Sequence, residues 1–524
     1  MNKIKEYWAK IIDLKILLFS IVAFVGIHGE MIFNKLSWGD DMMLITNGDF
    51  HFDTNGRWFA MFLWNLVKTY TGAESLPTFS AMVAALSLAL IACLYIYLFD
   101  IEGIPSKFAV SLVVVSIPSI ASHLGYMTFM GLDYFGLLIA VLSVLIIADK
   151  HECKVWRFIL ASVVLCLALG MYQWHLTVYL TSVLLILIYE ILSDDGLKIT
   201  KFLTRGIYLV GSALLGLGLY LGVLKWYLKH YNIWLNWYAG IDTYGIVSFD
   251  EYIARLKLAY TDFWTPAIDT RYAIFPFHNE SWHIWLMRIL IIGALLIVAK
   301  LIIEKKYIAI AQFAFCVAIV PMAFNFNFIL YGEQNTHAIH MWHFCLLFLM
   351  IIWMYKESLS FFVEFIKNEK LKTVIAALSI IPVAFVLLFG VVWARYDNVN
   401  YLTAELHQSQ SVSYLNRMIA RMESQEGYHS DMPVAIIGDR NNIIDNDIRI
   451  YDKVINPYQY NPINCGDTYA YLKNLCGYAP AAIADPEEMG LYSNEEFLAM
   501  PCYPDAGSIK VIEGVLVVKC YYEQ

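Results

Sequence analysis

The sequence is short of charge. Of its 524 residues, only 15% are Asp, Glu, Lys or Arg, whereas a soluble globular protein carries about 25%. Hydrophobic residues make up 59% of the chain and its mean hydropathy is +0.57. This composition excludes a soluble globular fold and predicts a polytopic membrane protein.

Several familiar motifs are also missing from the sequence. It has no Gly-rich phosphate loop, no paired CxxC motif and no short solenoid repeat. The formal net charge is −9, and no stretch forms the basic face that a nucleic-acid binder shows. Nucleic acid is therefore excluded as a partner.

Long apolar segments are abundant. A bilayer core about 30 Å thick needs about 20 apolar residues in a helix, and eleven segments approach that length. They are Ile16–Phe33, Phe79–Phe99, Phe108–Leu124, Leu132–Ala148, Phe158–Tyr172, Leu176–Leu192, Ile207–Leu224, Ile284–Ile303, Ile308–Phe324, His337–Tyr355 and Val374–Ala394. The Phe158–Tyr172 segment is short, and Pro118 interrupts the third segment.

Lys and Arg collect in the N-terminal tail and in every second loop. Cytoplasmic loops are the ones enriched in these residues. The pattern predicts a cytoplasmic N-terminus, an extracytoplasmic C-terminus and an acidic-aromatic first loop that faces outward. The first segment lacks a small-residue cleavage site, which indicates an uncleaved anchor.

The composition becomes ordinary near residue 395, so we predict a transmembrane domain over residues 1–394 and an extracytoplasmic α/β domain over 395–524. Apolar residues at helical spacing follow the boundary, at Val412, Leu415, Ile419 and Met422. Pro433–Gly438 has the pattern of a buried strand, and Ile509–Val518 that of a hairpin turning at Glu513-Gly514.

Four of the nine cysteines lie in this second domain, which suits two disulfides in an oxidising compartment. Three pairings are possible. Proximity along the chain favours Cys465–Cys476 and Cys502–Cys520. An inverted orientation would instead leave all four thiols unpaired.

The loop of residues 34–65 concentrates charge among aromatic residues. Asp40 and Asp41 are adjacent carboxylates that can accept a proton from a hydroxyl. Arg57, followed by Trp58, supplies a guanidinium fork that can hold a phosphate. The alternative is a solvated loop in which Asp40 caps a short helix.

Polar residues also mark the predicted outer ends of several apolar segments, and such residues at membrane depth are usually functional. They are His123, Asp133, Tyr172, Gln173, His175, Glu333, Gln334, His337 and His340. Their position predicts an outward-open polar cavity.

Glu333, His337 and His340 have the spacing of one helix face. That set suits a divalent metal ion, or hydrogen-bonded residues that line a wet cavity. No motif such as HExxH occurs, so phosphate or sugar binding is favoured and no metal is assigned. Arg271 is a second candidate phosphate ligand, with an ordinary surface arginine as the alternative.

Three short motifs follow one another along the chain. They are Asp40-Asp41 after the first apolar segment, then Gly56-Arg57-Trp58, then Tyr172-Gln173 at the end of a later segment. With the motifs in this order, the chain resembles the Gtr type II family of membrane glucosyltransferases, known from O-antigen modification. It is similar more broadly to GT-C glycosyltransferases. The resemblance implies an all-α polytopic fold with about 11 transmembrane helices and a small C-terminal α/β domain.

The resemblance also implies a reaction. The donor would be a polyprenyl-phosphate sugar, the acceptor a cell-envelope glycan, and the location the outer face of the bacterial plasma membrane, with no cofactor. Asp40 or Asp41 would be the general base. Arg57 would hold the donor phosphate or shape the loop, and Tyr172 and Gln173 would line the sugar pocket.

Two other classes of protein fit the composition. A transporter or flippase of a lipid-linked glycan would show inverted halves and charges at mid-bilayer, and neither pattern is visible in the sequence. An assembly protein with a partner-binding outer domain would not need acidic residues beside its first segment. Sugar transfer from a polyprenyl-phosphate donor separates an enzyme from both.

Overall fold

The computed structural model describes residues 2–34, 40–47, 51–73, 75–149, 152–193, 196–237, 246–267, 282–332, 338–364, 366, 368–438 and 468–520. Helices dominate these ranges. They are α1 Asn2–Ile11, α2 Leu14–Phe33, α3 Asp40–Asn47, α4 Trp58–Thr71, α5 Pro77–Leu98, α6 Ile104–Ser116, α7 Met127–Ala148, α8 Val155–Met171, α9 His175–Ser193, α10 Ile199–Tyr231, α11 Phe249–Trp264, α12 Trp282–Ile303, α13 Tyr307–Phe324, α14 Phe326–Tyr331, α15 Leu346–Glu364, α16 Glu369–Leu378, α17 Ile380–Glu423, α18 Thr468–Cys476 and α19 Glu495–Ala499.

Within the described ranges, ten helices are long and apolar enough to cross a membrane. The prediction of a polytopic helical membrane protein is therefore confirmed. The remaining predicted segment, Phe158–Tyr172, lies in α8, which is apolar but has only 17 residues.

Three predicted segments are less regular than expected. Helix α6 ends at Ser116, and a 3₁₀ helix follows at Ala121–Tyr126 because Pro118 cannot donate a backbone hydrogen bond. The last apolar segment is split between α16 and α17. The segment before it begins with a 3₁₀ helix, Ala338–Cys345, rather than an α-helix.

The chain divides into two compact units. The first comprises residues 1–29, 50–123 and 127–398, and the second comprises residues 30–49, 124–126 and 399–524. The second unit thus contains α3 as well as the C-terminal segment. The domain boundary at residue 395 stays a prediction.

The first unit is built on tight helix packing between α5, α7, α8, α9 and α10. A Cβ at Gly131 of α7 would lie 2.6 Å from the backbone oxygen of Ser80 in α5. The Gly131 N–H donates to Ser80 Oγ at 2.7 Å. The missing side chain therefore allows two backbones to approach closely, as small residues do in membrane helix pairs.

A buried ion pair joins α9 and α10. Arg205 Nη2 lies 2.6 Å from Glu190 Oε1, and Arg205 Nε donates to both carboxylate oxygens of Glu190. Both side chains are almost fully buried. A paired arrangement of this kind is what a charge at membrane depth requires.

The second unit contains a four-stranded sheet with strand order β2-β1-β4-β3. The strands are β1 Pro433–Ile437, β2 Ala482–Ile483, β3 Ile509–Ile512 and β4 Val515–Lys519. Strand β1 pairs in parallel with β2 and β4, while β3 and β4 form an antiparallel hairpin. The predicted strand and hairpin are both confirmed.

The hairpin turns where the sequence indicated. Glu513 and Gly514 have φ angles of 49° and 79°, which a type I′ two-residue turn requires. The helical spacing after residue 410 is also confirmed, because Leu415, Ile419 and Met422 are buried in α17.

The disulfide pairings favoured by chain proximity are wrong in this structure. Cys476 and Cys502 carry free thiols, so neither the Cys465–Cys476 nor the Cys502–Cys520 bond is formed. Cys465 lies outside the described residues. Burial raises the pKa of the Cys476 thiol, which keeps it protonated and unreactive at neutral pH.

Candidate functional site

The loop that carries Arg57 has a defined backbone. A 3₁₀ helix at Phe52–Asn55 ends at Gly56, whose φ of 74° lies in the left-handed region that favours glycine. Phe52 anchors the loop by packing edge-on against the rings of Trp64 and Phe129. The loop therefore delivers Arg57 to the residue immediately before α4.

A hydrogen-bond cluster clamps this loop from the neighbouring helices. Gln173 Nε2 donates to the Asn55 carbonyl at 2.7 Å and to Tyr220 Oη at 2.9 Å. Tyr220 Oη donates in turn to the Gly56 carbonyl at 3.1 Å. A Cβ at Gly56 would lie 2.8 Å from both Gln173 Nε2 and Tyr220 Oη, so only glycine fits under the clamp.

Arg57 stacks on the ring of Tyr172. Its Cζ lies 3.5 Å from the ring centroid, a close cation–π contact. Arg57 Nε and Trp58 Nε1 are both buried, and neither has a hydrogen-bond partner in the part of the chain that the structure describes. The two residues are neighbours in the chain, and each of these N–H groups can donate a hydrogen bond to an anion.

Trp58 packs against α8 because Gly170 of that helix has no side chain. A Cβ at Gly170 would lie 2.7 Å from Trp58 Cε2 and 3.0 Å from Phe59 Cβ. The indole therefore packs directly on the backbone of the last turn of α8. This contact fixes the start of α4 next to Tyr172, which follows α8.

A series of hydrogen bonds orients the side chain of Tyr172. Tyr172 Oη and His340 Nε2 are 2.8 Å apart. The His340 carbonyl accepts from Asn327 Nδ2 at 3.0 Å, and Asn327 Oδ1 accepts from Thr177 Oγ1 at 2.6 Å. Tyr172 is thus tied to the 3₁₀ helix of residues 338–345 and to α14.

Tyr331, the last residue of α14, belongs to the same surroundings. Its ring lies 6.2 Å from that of His340. Burial raises the pKa of Tyr331 well above the ordinary value for tyrosine, with the nearby Tyr172 and Tyr220 adding to the effect. Tyr331 therefore stays a neutral phenol beside the Arg57 charge.

The carboxylate of Asp133 is buried and accepts hydrogen bonds from several side chains near Tyr172. Asp133 Oδ2 lies 2.7 Å from His123 Nε2, and Oδ1 lies 3.0 Å from His175 Nε2. Trp174 Nε1 donates to Oδ1 at 3.1 Å. His175 Nδ1 is 2.9 Å from the Ala168 carbonyl, which can only accept a hydrogen bond. Asp133 thereby fixes the turn that carries Tyr172 and Gln173.

The model of the family described as "Glucosyl transferase GtrII" matches residues 29–354, more than half of the chain. The chain belongs to the glucosyl transferase GtrII family. No curated protein and no solved structure gives a match.

Membership of the GtrII family makes this chain a membrane glycosyltransferase, with a sugar donor and a glycan acceptor as its substrates. The resemblance inferred from the short motifs is confirmed. The matched range contains every residue predicted for the site, but the family match by itself assigns no role to any of them.

The structure brings together four of the predicted residues, Arg57, Trp58, Tyr172 and Gln173. Four others, Arg271, Glu333, Gln334 and His337, lie outside the described residues. His340 lies on the 3₁₀ helix of residues 338–345, and the predicted common face of Glu333, His337 and His340 stays a prediction because Glu333 and His337 lie outside the described residues.

Asp40 and Asp41 belong to the second unit, at the start of α3. The side chain of Asp41 is fully buried, at 0% exposure. Helix α3 packs against α18 within this unit. The sequence did not predict the burial of Asp41.

Sequence reasoning missed the residues that hold the GtrII site together. Tyr220 lies within an apolar run, where a tyrosine is more often a packing residue, and Asn327 lies in a short polar interruption. Asn55 contributes only its backbone carbonyl to the clamp. None of these three carries a motif that a single sequence would reveal.

Among the side chains that the structure describes, no group of three or more His, Cys, Asp or Glu residues is arranged to hold a metal ion. Asp133, His123 and His175 bond to one another and to backbone carbonyls instead. These residues support the turn of Tyr172 and Gln173.

Proposed function

We propose that this GtrII chain transfers a hexose, glucose by family, from a polyprenyl-phosphate donor to a cell-envelope glycan on the outer face of the bacterial plasma membrane. The observation that carries the proposal is that two buried N–H donors, Arg57 Nε and Trp58 Nε1, have no hydrogen-bond partner among the described residues. A sugar linked to a lipid by phosphate would supply the anion that these donors lack.

Arg57 is suited to a phosphate that leaves. As the sugar–phosphate bond breaks, negative charge grows on the phosphate oxygen, and a guanidinium placed there stabilises the transition state more than the ground state. The stack on Tyr172 at 3.5 Å holds the guanidinium plane in one orientation. Tyr172 and Gln173 therefore act in the proposal as the residues that set the direction of Arg57.

The proposed base is Asp40. It would remove the proton of an acceptor hydroxyl, whose oxygen attacks the anomeric carbon while the bond from that carbon to the phosphate oxygen breaks. The electron pair leaves with the phosphate, and the reacting centre passes through an oxocarbenium-like state. A phosphate leaving group needs no proton, so one carboxylate suffices.

The burial of Asp41 supports the choice of Asp40. A general base must come within hydrogen-bond reach of the proton it takes, and the Asp41 side chain is fully buried. We assign Asp41 to the support of α3 and Asp40 to the chemistry. The position of both directly after the first apolar segment agrees with the acidic first outer loop of the resembled enzymes.

The proposed orientation rests on the alternating distribution of Lys and Arg. It is testable with a native residue, because Cys153 is exposed and lies in a loop proposed to be cytoplasmic. A membrane-impermeant maleimide applied to intact spheroplasts should label Cys153 only after permeabilisation. Labelling from outside would reverse the orientation and remove the outer-face assignment.

The activity is tested with purified protein in proteoliposomes. Radiolabelled glucose on a short polyprenyl phosphate should pass to an isolated envelope glycan, and the Arg57→Gln variant should be much slower. Labelled donor that crosses the bilayer without transfer would instead establish a flippase. A protein that neither transfers nor translocates the donor would also contradict the proposal.

A further inference from the structure

A polar cavity lies at the end of α7 and α9 opposite to the one that carries Asp133 and His175. It has a volume of about 310 Å³ and lies wholly within the first unit. One of its lining residues, Asp149, directly follows α7. Asp133 and Asp149 are therefore separated by about 24 Å along the helix axis, at about 1.5 Å per residue. The cavity is distinct from the Arg57 site.

The lining combines charges of both signs with an apolar floor. The charged residues are Lys10, Asp13, Asp100, Lys107 and Asp149, and several isoleucines complete the wall. The volume is at the lower end of the range of small-ligand sites, about 300–1,000 Å³. A mixed lining of this kind fits an amphipathic ligand with a compact zwitterionic group.

Ion pairs inside the protein account for part of the charge. Lys107 Nζ lies 3.5 Å from Asp13 Oδ2. Asp149 Oδ2 lies 3.2 Å from Arg157 Nη2, and Asp149 Oδ1 accepts from Tyr97 Oη at 3.0 Å. These pairs leave the rest of the cavity close to neutral.

Two opposite charges remain without a partner. In the described part of the chain, neither Lys10 nor Asp100 takes part in an ion pair or a side-chain hydrogen bond, although both line the cavity. Asp100 has a left-handed φ of 48°, directly after the end of α5. An ammonium beside Asp100 and a phosphate beside Lys10 would satisfy both groups.

The helix that bears Lys10 indicates where such a ligand would come from. Helix α1 is a short segment with lysines at positions 3, 5 and 10, and it exposes Trp8 while it buries Ile11. A basic helix with an exposed Trp and a buried apolar side is typical of one that lies in the membrane interface. The cavity mouth therefore lies at the level of lipid headgroups.

We propose that this cavity binds the headgroup of a phospholipid that carries a primary amine, as in phosphatidylethanolamine. Lys10 contacts the phosphate, supported by Lys107, and Asp100 accepts hydrogen bonds from the ammonium. A choline headgroup has no N–H to donate to Asp100. An anionic glycerol headgroup has no ammonium to pair with Asp100 and would bring a net negative charge into a cavity whose own charges nearly cancel.

The test uses delipidated full-length protein in detergent, with binding measured by native mass spectrometry and by the thermal unfolding midpoint. Phosphatidylethanolamine should bind and raise the midpoint, whereas phosphatidylcholine and phosphatidylglycerol should leave it unchanged. Free phosphoethanolamine at the same concentration should have little effect, because it lacks the acyl chains that hold the headgroup at the interface.

Lys10→Gln and Asp100→Asn should each weaken phosphatidylethanolamine binding about tenfold, which corresponds to about 1.4 kcal/mol. Both side chains are exposed and unpaired, so neither change should unfold the protein. Lys257→Gln and Asp250→Asn, on the exposed face of α11, are the matched controls and should bind normally.

Several outcomes would overturn the assignment. Equal binding of the choline lipid would remove the ammonium contact with Asp100. A preference for phosphatidylglycerol would show that the cavity binds an anion. An equal effect of free phosphoethanolamine would show that the ligand is a soluble molecule and not a lipid. Unchanged binding in both cavity variants would place the lipid elsewhere.

Discussion

Arg57 offers the sharpest test of the proposed chemistry, through its replacement by glutamine. The variant keeps a polar side chain of similar length but loses the charge and the planar stack on Tyr172. A hydrogen bond to a charged group contributes about 1.5–3 kcal/mol. At about 1.4 kcal/mol per tenfold change, kcat/KM for the donor should fall about 10- to 150-fold.

The stack itself contributes separately. A cation–π contact is worth about 0.5–2 kcal/mol, depending on how well water is excluded. Arg57→Lys keeps the charge but loses the flat guanidinium and its Nε donor, so its activity should fall between those of the wild type and Arg57→Gln. This order separates the contribution of charge from that of orientation.

The assay measures initial rates of glucosyl transfer in proteoliposomes over a range of donor concentrations. Arg288→Gln is the matched control, because Arg288 also stacks on an aromatic ring, Trp285, at 5.2 Å, and is exposed on α12. It should leave donor use unchanged. Unfolding midpoints of all variants check that each is folded.

One result would refute the reasoning. If Arg57→Gln used the donor within about threefold of the wild type, the unpartnered donors at Arg57 and Trp58 could not be the phosphate site. If Arg57→Gln and Arg288→Gln were equally impaired, the loss would reflect a general effect of removing a stacked arginine.

Three further predictions concern the parts around Arg57. Gly56→Ala should reduce transfer strongly, because its Cβ would lie 2.8 Å from Gln173 and Tyr220. Gly72→Ala is the control, since Gly72 has a similar φ of 67° but no atom within 4 Å of its Cβ position. An equal loss of activity in both variants would show that backbone strain, and not the contact with Gln173 and Tyr220, causes the effect. Asp40→Asn should lower kcat by about 10²–10⁴-fold at unchanged protein level, while the exposed Asp250→Asn should not; normal turnover by Asp40→Asn would remove the base. Asp133→Asn leaves two imidazoles without their shared carboxylate and should cost about 3–5 kcal/mol in unfolding free energy. An unchanged unfolding midpoint in detergent would show that the cluster does not hold the turn.

The helical membrane fold could be predicted because the rules that set it are local. Bilayer thickness dictates the length of each apolar run, and every one of the eleven predicted segments falls largely on described helices. The hairpin at Ile509–Val518 was readable for the same reason, since Glu513-Gly514 suits its turn without help from distant residues.

Irregularities inside the apolar segments were harder to predict. Pro118 marked a break, but the 3₁₀ helix after it depends on how neighbouring helices satisfy the freed backbone groups. Pro382 lies in the first turn of α17 and accounts for the break after Leu378, because proline has no backbone N–H with which to continue α16. No residue marks the 3₁₀ start of the segment that carries His340. Hydropathy reports burial in lipid and is insensitive to such changes of helix type.

For the candidate site, the residue types were predictable and the contacts were not. The side chains of Arg57, Asp40 and Asp41 indicate by themselves the chemistry that they can perform. The order of the short motifs was enough to identify the GtrII family. The family resemblance implied that Gln173 lines the sugar pocket, which stays a prediction, and the structure adds two hydrogen bonds by which Gln173 clamps the Arg57 loop.

The sequence by itself determined which segments enter the membrane and which side chains are available for chemistry, because both follow from local composition. Only the tertiary structure decided that Arg57 stacks on Tyr172, that Asp133 joins two histidines, and that Asp41 is enclosed. Arg57 and Tyr172, and likewise Asp133 and His175, are far apart in the chain. Their contacts depend on the rotation and depth of each packed helix, which close packing of the whole bundle sets.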